Sequence, residues 1–204
     1  TRCLVRYGQP QVNAVISPAE FQSFNRMTSG SRSILQIVAD GTPGGGTTHV
    51  LQLLANGDKL GKCVVLTQHD SYLAERAAEL GVDVHTGDFF SSRLSRQIVR
   101  RVQEVGETGS PELGHAHGGR ANFFLQQSRT KCPSIYTVHG FHHRKKPFAA
   151  RILGAQAEKF GIARTNHVVF VSRHDRQVAV SENLIDASQP STVVHNGNAL
   201  QTEP

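Results

Sequence analysis

From Ile34 onward the chain alternates short apolar runs with stretches of helical period. Ser33–Ala39 (SILQIVA) predicts a strand, Gly41–Gly46 a glycine loop, and Thr47–Asn56 a helix capped by Thr47 or Thr48, with Val50, Leu51 and Leu54 as its apolar stripe and Gly57 as its stop. Lys62–Gln68 reads as a buried strand, Ser71–Leu80 as a helix closed by Gly81, and Val82–His85 as a third strand. Ser92–Val105 predicts an amphipathic helix, with Leu94, Ile98, Val99, Val102 and Val105 inward and Arg93, Arg96 and Arg100 outward. The second half repeats the rhythm. Strands are expected at Leu113–His117, Ser134–Val138, His167–Ser172 and Thr192–His195, and helices at Arg120–Arg129, Pro147–Phe160 and Arg173–Ser181. Strands alternating with helices of this length make βαβ units, hence a parallel sheet covered on both faces: a Rossmann-like, doubly wound α/β domain over residues 33–198. Residues 1–32 are poorly patterned. We read Met27 as lying near the natural start, residues 1–26 as an upstream extension, and 199–204 as a tail leading to a second domain.

Composition narrows the function classes. With 38% apolar residues in 204, the chain can bury a core without staples. No apolar run approaches the roughly 20 residues that span a bilayer. No secretory h-region is evident, and Cys3, Cys63 and Cys132 are odd in number and far apart, which fits reduced cytoplasmic thiols. GxSxG and Asp-x-Asp are absent, so neither a serine-hydrolase elbow nor a carboxylate-bridged metal–diphosphate site is expected. Aromatic residues make up 6%, too few for base stacking, and no nucleic-acid partner is expected.

Charge changes the picture more. No Asp or Glu occurs between Glu112 and Glu158, and that stretch carries seven Lys and Arg against a net charge of +6 for the whole chain. Five of the eleven His fall inside it. An uncompensated basic region attracts phosphates or an anionic membrane surface.

Three motifs stand at strand ends. In Asp40-Gly41-Thr42-Pro43-Gly44-Gly45-Gly46-Thr47-Thr48, glycines let backbone N–H groups approach a phosphate at a helix N-terminus, although the spacing is neither GxGxxG nor a P-loop. His115-Ala116-His117 places two imidazoles on one side of a strand; without carboxylate partners it reads as structural rather than metal-binding. His139 leaves a strand into a glycine-containing loop followed by Arg144, Lys145 and Lys146. The positive field there is expected to keep its ring neutral and able to accept a hydrogen bond.

In order, the segments ILQIVADGTPGGGTTHVLQLL (34–54), GHAHGGRAN (114–122), SIYTVHGFH (134–142), VVFVS (168–172) and VVHNG (193–197) resemble the N-terminal domain of family 4 retaining glycosyltransferases of the GT-B type. The resemblance implies a nucleotide-sugar donor in a cleft between two Rossmann-like halves, a glycan or lipid-linked acceptor, and no cofactor or metal. Gly45, Gly46 and Thr47 would contact donor diphosphate or sugar, and His139 would be the catalytic cleft histidine. Arg144, Lys145 and His117 would face an acceptor or anion, and Asn196-Gly197 would mark the crossover into the second domain. Thr48 departs from the family, where an acidic residue is common at that place. The resemblance also implies that residues 33–198 alone are inactive and work with a further domain or a separate partner protein, in the cytoplasm or peripherally at the inner membrane face. The competing readings are a non-catalytic nucleotide- or phosphate-binding module and a polyanion adaptor built on Arg144-Lys145-Lys146.

Overall fold

A computed structural model describes residues 33–57, 61–92, 94–145, 147–186 and 188–197. The expectations for residues 1–32 and 199–204 lie outside the described residues. Seven strands form one parallel sheet: β1 (Ser33–Val38), β2 (Lys62–Gln68), β3 (Asp83–Gly87), β4 (Leu113–His117), β5 (Ser134–Val138), β6 (His167–Phe170) and β7 (Ser191–Val193). The helices are α1 (Gly45–Ala55), α2 (Tyr72–Glu79), α3 (Arg96–Gly109), α4 (Gly119–Ser128), α5 (Phe148–Ile162) and α6 (Arg173–Ser181), with a 3-10 turn at His142–Lys145 before α5. The spatial order is β3-β2-β1-β4-β5-β6-β7. Winding therefore reverses between β1 and β4, which opens a crevice at their carboxyl ends.

Apolar residues on alternate positions of β1 and β2 separate two cores. Val38, Cys63 and Val65 pack with Val50 and Leu54 of α1 and Leu73 and Ala77 of α2. Leu35, Ile37 and Leu66 pack on the other face with Ile98 and Val102 of α3 and Phe124 and Leu125 of α4. Under β5 and β6, Tyr136, Val138, Val168 and Phe170 pack with Phe141, Ile162 and Val178.

Several boundaries depart from the pattern. α1 starts at Gly45 with Gly44 as its cap residue, two positions before the expected start, and neither Thr47 nor Thr48 caps it. The first turn of a helix needs no intrahelical acceptors for its N–H groups, so glycine costs little there. Ser95, not Ser92, caps α3: its Oγ accepts from the Ile98 N–H. With that phase Ile98, Val102 and Val105 face the core, while Leu94, expected inward, precedes the helix and is 70% exposed. Pro147 caps α5 from outside rather than opening its first turn, and β7 ends at Val193.

Candidate functional site

The loop after β1 and the loop after β5 meet at the carboxyl edge of the sheet. Asp40 shapes the first loop by accepting from both the N–H and the hydroxyl of Thr42. The Thr47 hydroxyl in turn donates to the Thr42 carbonyl at 2.7 Å. That side chain is buried and committed, so what Thr47 offers a ligand is its backbone N–H. The first turn of α1 carries no acidic residue and no side-chain cap, and its first helical bond runs from Thr48 N–H to the Gly44 carbonyl. The N–H groups of Gly45, Gly46 and Thr47 are thus presented to the crevice at the positive end of the helix dipole. Most other helix starts are handled internally, α5 behind Pro147 excepted. Ser71, Ser95 and Ser172 cap α2, α3 and α6, and the Glu158 carboxylate occupies the space beside Gly119 at the start of α4.

His139 follows β5, and Gly140 at φ 100° turns the chain away immediately afterwards, a conformation that favours glycine. The His139 ring lies against α1: a Cβ at Gly46 would stand 3.4 Å from its Cγ. Two more imidazoles close on it. His117 Nδ1 is 3.3 Å from His139 Nε2, and the His49 ring, on α1, centres 5.3 Å from that of His139. His115 packs tilted beside His117 with centroids 4.0 Å apart and bonds Thr137 through Nε2 at 2.8 Å.

Burial keeps these rings neutral. It pushes His139 down to about 4, with His49 adding to the fall and Asp175 opposing it. Burial likewise drives His115 to about 3 and His117 well below the usual imidazole value, and it lowers His49. The expected neutrality of His139 is therefore present, but desolvation is its main cause, with neighbouring charge secondary.

Ligand nitrogens of His49, His117 and His139 lie within 4.8 Å of one another, a spacing that a metal ion could close. The same corner lies at the positive end of the α1 dipole, which favours an anion.

The remaining site residues are placed differently. His117, expected to touch an acceptor or anion, is buried with both ring nitrogens bonded, so it acts behind the surface. Arg144 is half-exposed but pairs through Nε with Glu182 at 3.2 Å, and Arg151 and His143 converge on the same carboxylate. The acid-free stretch is thus partly neutralised from the end of α6. Arg120 donates to the Phe89 carbonyl and stacks over Phe90. Lys145 ends the 3-10 turn, while Asn196 and Gly197 are exposed beyond β7. A pocket of about 320 Å³ opens beside His139's loop, lined by Phe141, Arg144, Asp175 and Val178.

The sequence reading passed over His49 and Gln36. Gln36 interrupts the apolar run SILQIV, and His49 stands immediately before the apolar stripe of α1; a polar side chain at such a place is the signal.

The glycosyltransferase family 4 model matches residues 43–201. The chain belongs to glycosyltransferase family 4. No curated protein matches it. Among solved structures, Anabaena HepE in complex with UDP and glucose aligns with TM-score 0.64 and 16% identity over 82% of this chain and 45% of its own. Sucrose-phosphate synthase from Thermosynechococcus elongatus aligns at 0.61 and 13%, over 83% and 49%. The lipopolysaccharide outer core galactosyltransferase WaaB aligns at 0.61 and 14%, over 84% and 47%. The family 4 chain described here therefore has the Rossmann-like fold of GT-B glycosyltransferases and spans less than half the length of these neighbours.

Proposed function

We propose that this family 4 chain is the acceptor-side half of a retaining glycosyltransferase that moves a sugar from a nucleotide-sugar donor to a glycan or lipid-linked acceptor. The observation that carries this reading is the convergence of the open N-terminus of α1 with the neutral His139 ring at the topological reversal of the sheet. Departure of a nucleoside diphosphate builds negative charge, and the N–H groups of Gly45, Gly46 and Thr47 are aimed where such charge would lie. Retention without an enzymic carboxylate nucleophile asks the protein for that stabilisation above all. HepE, a fold neighbour, is described with UDP-glucose, which makes UDP-glucose the first donor to assay.

Transfer by this half alone is expected to be negligible, and turnover of the isolated chain comparable to a complete enzyme would contradict the reading. In a protein reconstituted with a donor-binding domain, His139→Ala is expected to lower turnover roughly a hundredfold while donor binding stays within a few-fold. Unchanged turnover would rule out a catalytic His139, and binding without turnover in any reconstituted form would favour a non-catalytic nucleotide-binding module.

A cytoplasmic location with peripheral membrane contact is part of the proposal. No helix among the described residues is long and apolar enough to cross a membrane. The first two turns of α5 instead expose Phe148, Ile152 and Leu153, beside Arg144 and Arg151, which share the single carboxylate of Glu182 and so keep an excess of positive charge. Apolar side chains beside cations suit an anionic lipid surface. The chain is expected to co-sediment with phosphatidylglycerol vesicles and not with phosphatidylcholine vesicles. Phe148→Asp combined with Leu153→Asp should abolish this without loss of fold; equal binding to both vesicle types would contradict it.

A further inference from the structure

Gln36 sits in the middle of β1, 1% exposed, on the face that carries Val38 and opposite His115 in the β1–β4 register. A buried amide in an apolar strand is costly unless its groups are paired. Its Oε1 lies 2.8 Å from His117 Nε2, and the other nitrogen of that ring lies 3.3 Å from His139 Nε2. One amide and two imidazoles thus form a chain running from the core to the ring at the crevice.

We propose that Gln36 is a positioning residue which, through His117, fixes the tautomer of His139 so that Nε2 carries the proton and Nδ1 presents a lone pair to the ligand. The logic is directional. An amide oxygen can only accept, so His117 carries its proton on Nε2 and leaves Nδ1 bare. Bare Nδ1 must accept from His139, which places that ring's proton on Nε2. The opposite amide orientation would reverse every bond, so its direction matters. In the structure the carbonyl end is the one that faces His117, with Oε1 2.8 Å from Nε2.

His139 Nδ1 has no hydrogen-bond partner among the described residues. Being neutral and unprotonated there, it accepts hydrogen bonds and donates none. The ligand group opposite must then be a donor, such as a hydroxyl of a sugar ring, and not a phosphate oxygen, which is itself an acceptor at neutral pH. Phosphate is left to the N–H groups of α1, and His139 discriminates for a correctly placed hydroxyl. Only this assignment of the ligand rests on the function proposed above; the tautomer chain is a property of the free protein.

The test is a long-range proton–nitrogen correlation spectrum of the whole chain labelled with nitrogen-15 in its histidines, taken at neutral pH without ligand. The expected spectrum shows His117 and His139 protonated at Nε2, with both Nδ1 atoms pyridine-like. In Gln36→Met, which keeps the volume but removes the acceptor, His117 and His139 should pass to a mixture of tautomers. His115, anchored on Thr137, should keep its wild-type tautomer and so report that the sheet is intact. A wild-type spectrum with His139 protonated at Nδ1 overturns the proposal, whether or not the variant folds. So does a folded Gln36→Met variant whose His139 remains wholly Nε2-protonated. Adding UDP-glucose to the labelled chain reconstituted with a donor-binding domain reads the ligand assignment separately: a shift of His139 Nδ1 supports it. Its absence beside the expected free-state spectrum would overturn the hydroxyl contact while leaving the tautomer chain standing.

Discussion

Acid should unfold this chain well before its carboxylates titrate. Burial holds His115 at about 3, His139 at about 4 and His117 well below the usual imidazole range, so all three are neutral in the fold. In the unfolded chain each takes up a proton near the ordinary imidazole value. Below about pH 6.5 the unfolded state therefore binds more protons, and stability falls by about 1.4 kcal/mol per pH unit for each group until its folded pKa is reached. With three such groups the loss is on the order of 4 kcal/mol per pH unit, a large share of a typical domain's stability. Glu182, lowered first by its hydrogen bond from His143, contributes only further down, as pH falls below the ordinary carboxylate range. Urea unfolding followed from about pH 7 to pH 5 should show this steep decline. His115→Gln, which can keep a bond to Thr137 without titrating, should shallow the slope by about a third. Stability that is level across that interval would mean the rings are not held neutral.

The second large effect is expected at Gly119. A Cβ there would overlap the buried carboxylate of Glu158, which lies against the first turn of α4 and accepts from the Tyr136 hydroxyl at 3.0 Å. Tyr136 is fully buried, so displacing that carboxylate strands its hydroxyl in the core. Gly119→Ala should cost about 3 kcal/mol, the sum of a lost charged hydrogen bond and an unpaired buried donor. The cause is separable by a double-mutant cycle. In a Glu158→Ala background the overlap is gone, and Gly119→Ala should then cost well under half as much. Equal losses in both backgrounds would place the strain elsewhere.

How much of this could be read from residues alone depended on whether a signal was local. β2, β4, β5 and α6 have the bounds that their apolar runs predict, because each run is framed by Gly, Pro, Ser or charged residues. The start of α3 was placed at Ser92, whereas packing of Ile98, Val102 and Val105 selects Ser95 as the cap. The start of α1 was missed because triple glycine argues against helix everywhere except in a first turn. The meeting of Gly46 with His139 was anticipated from their places after β1 and β5. The approach of His49, Gln36 and His117 to the same ring was not, since it needs β1, β4 and β5 to be neighbours, which periodicity cannot reveal. The cationic field was overread for a related reason. Glu182 is remote in sequence from Arg144 and Arg151 but reaches both.

The central claim is that the first turn of α1 and His139 form one anion-and-sugar corner. It is tested most directly by titrating the amide-labelled chain, reconstituted with a donor-binding domain, with a nucleoside diphosphate-sugar. The amides of Gly45, Gly46 and Thr47 should move together with the His139 ring, and Gly46→Val, whose side chain presses on that ring, should remove the response. A response confined to the pocket at the other end of α1, between Leu54, Cys63 and Asp83, or movement of the amides without His139, would contradict it.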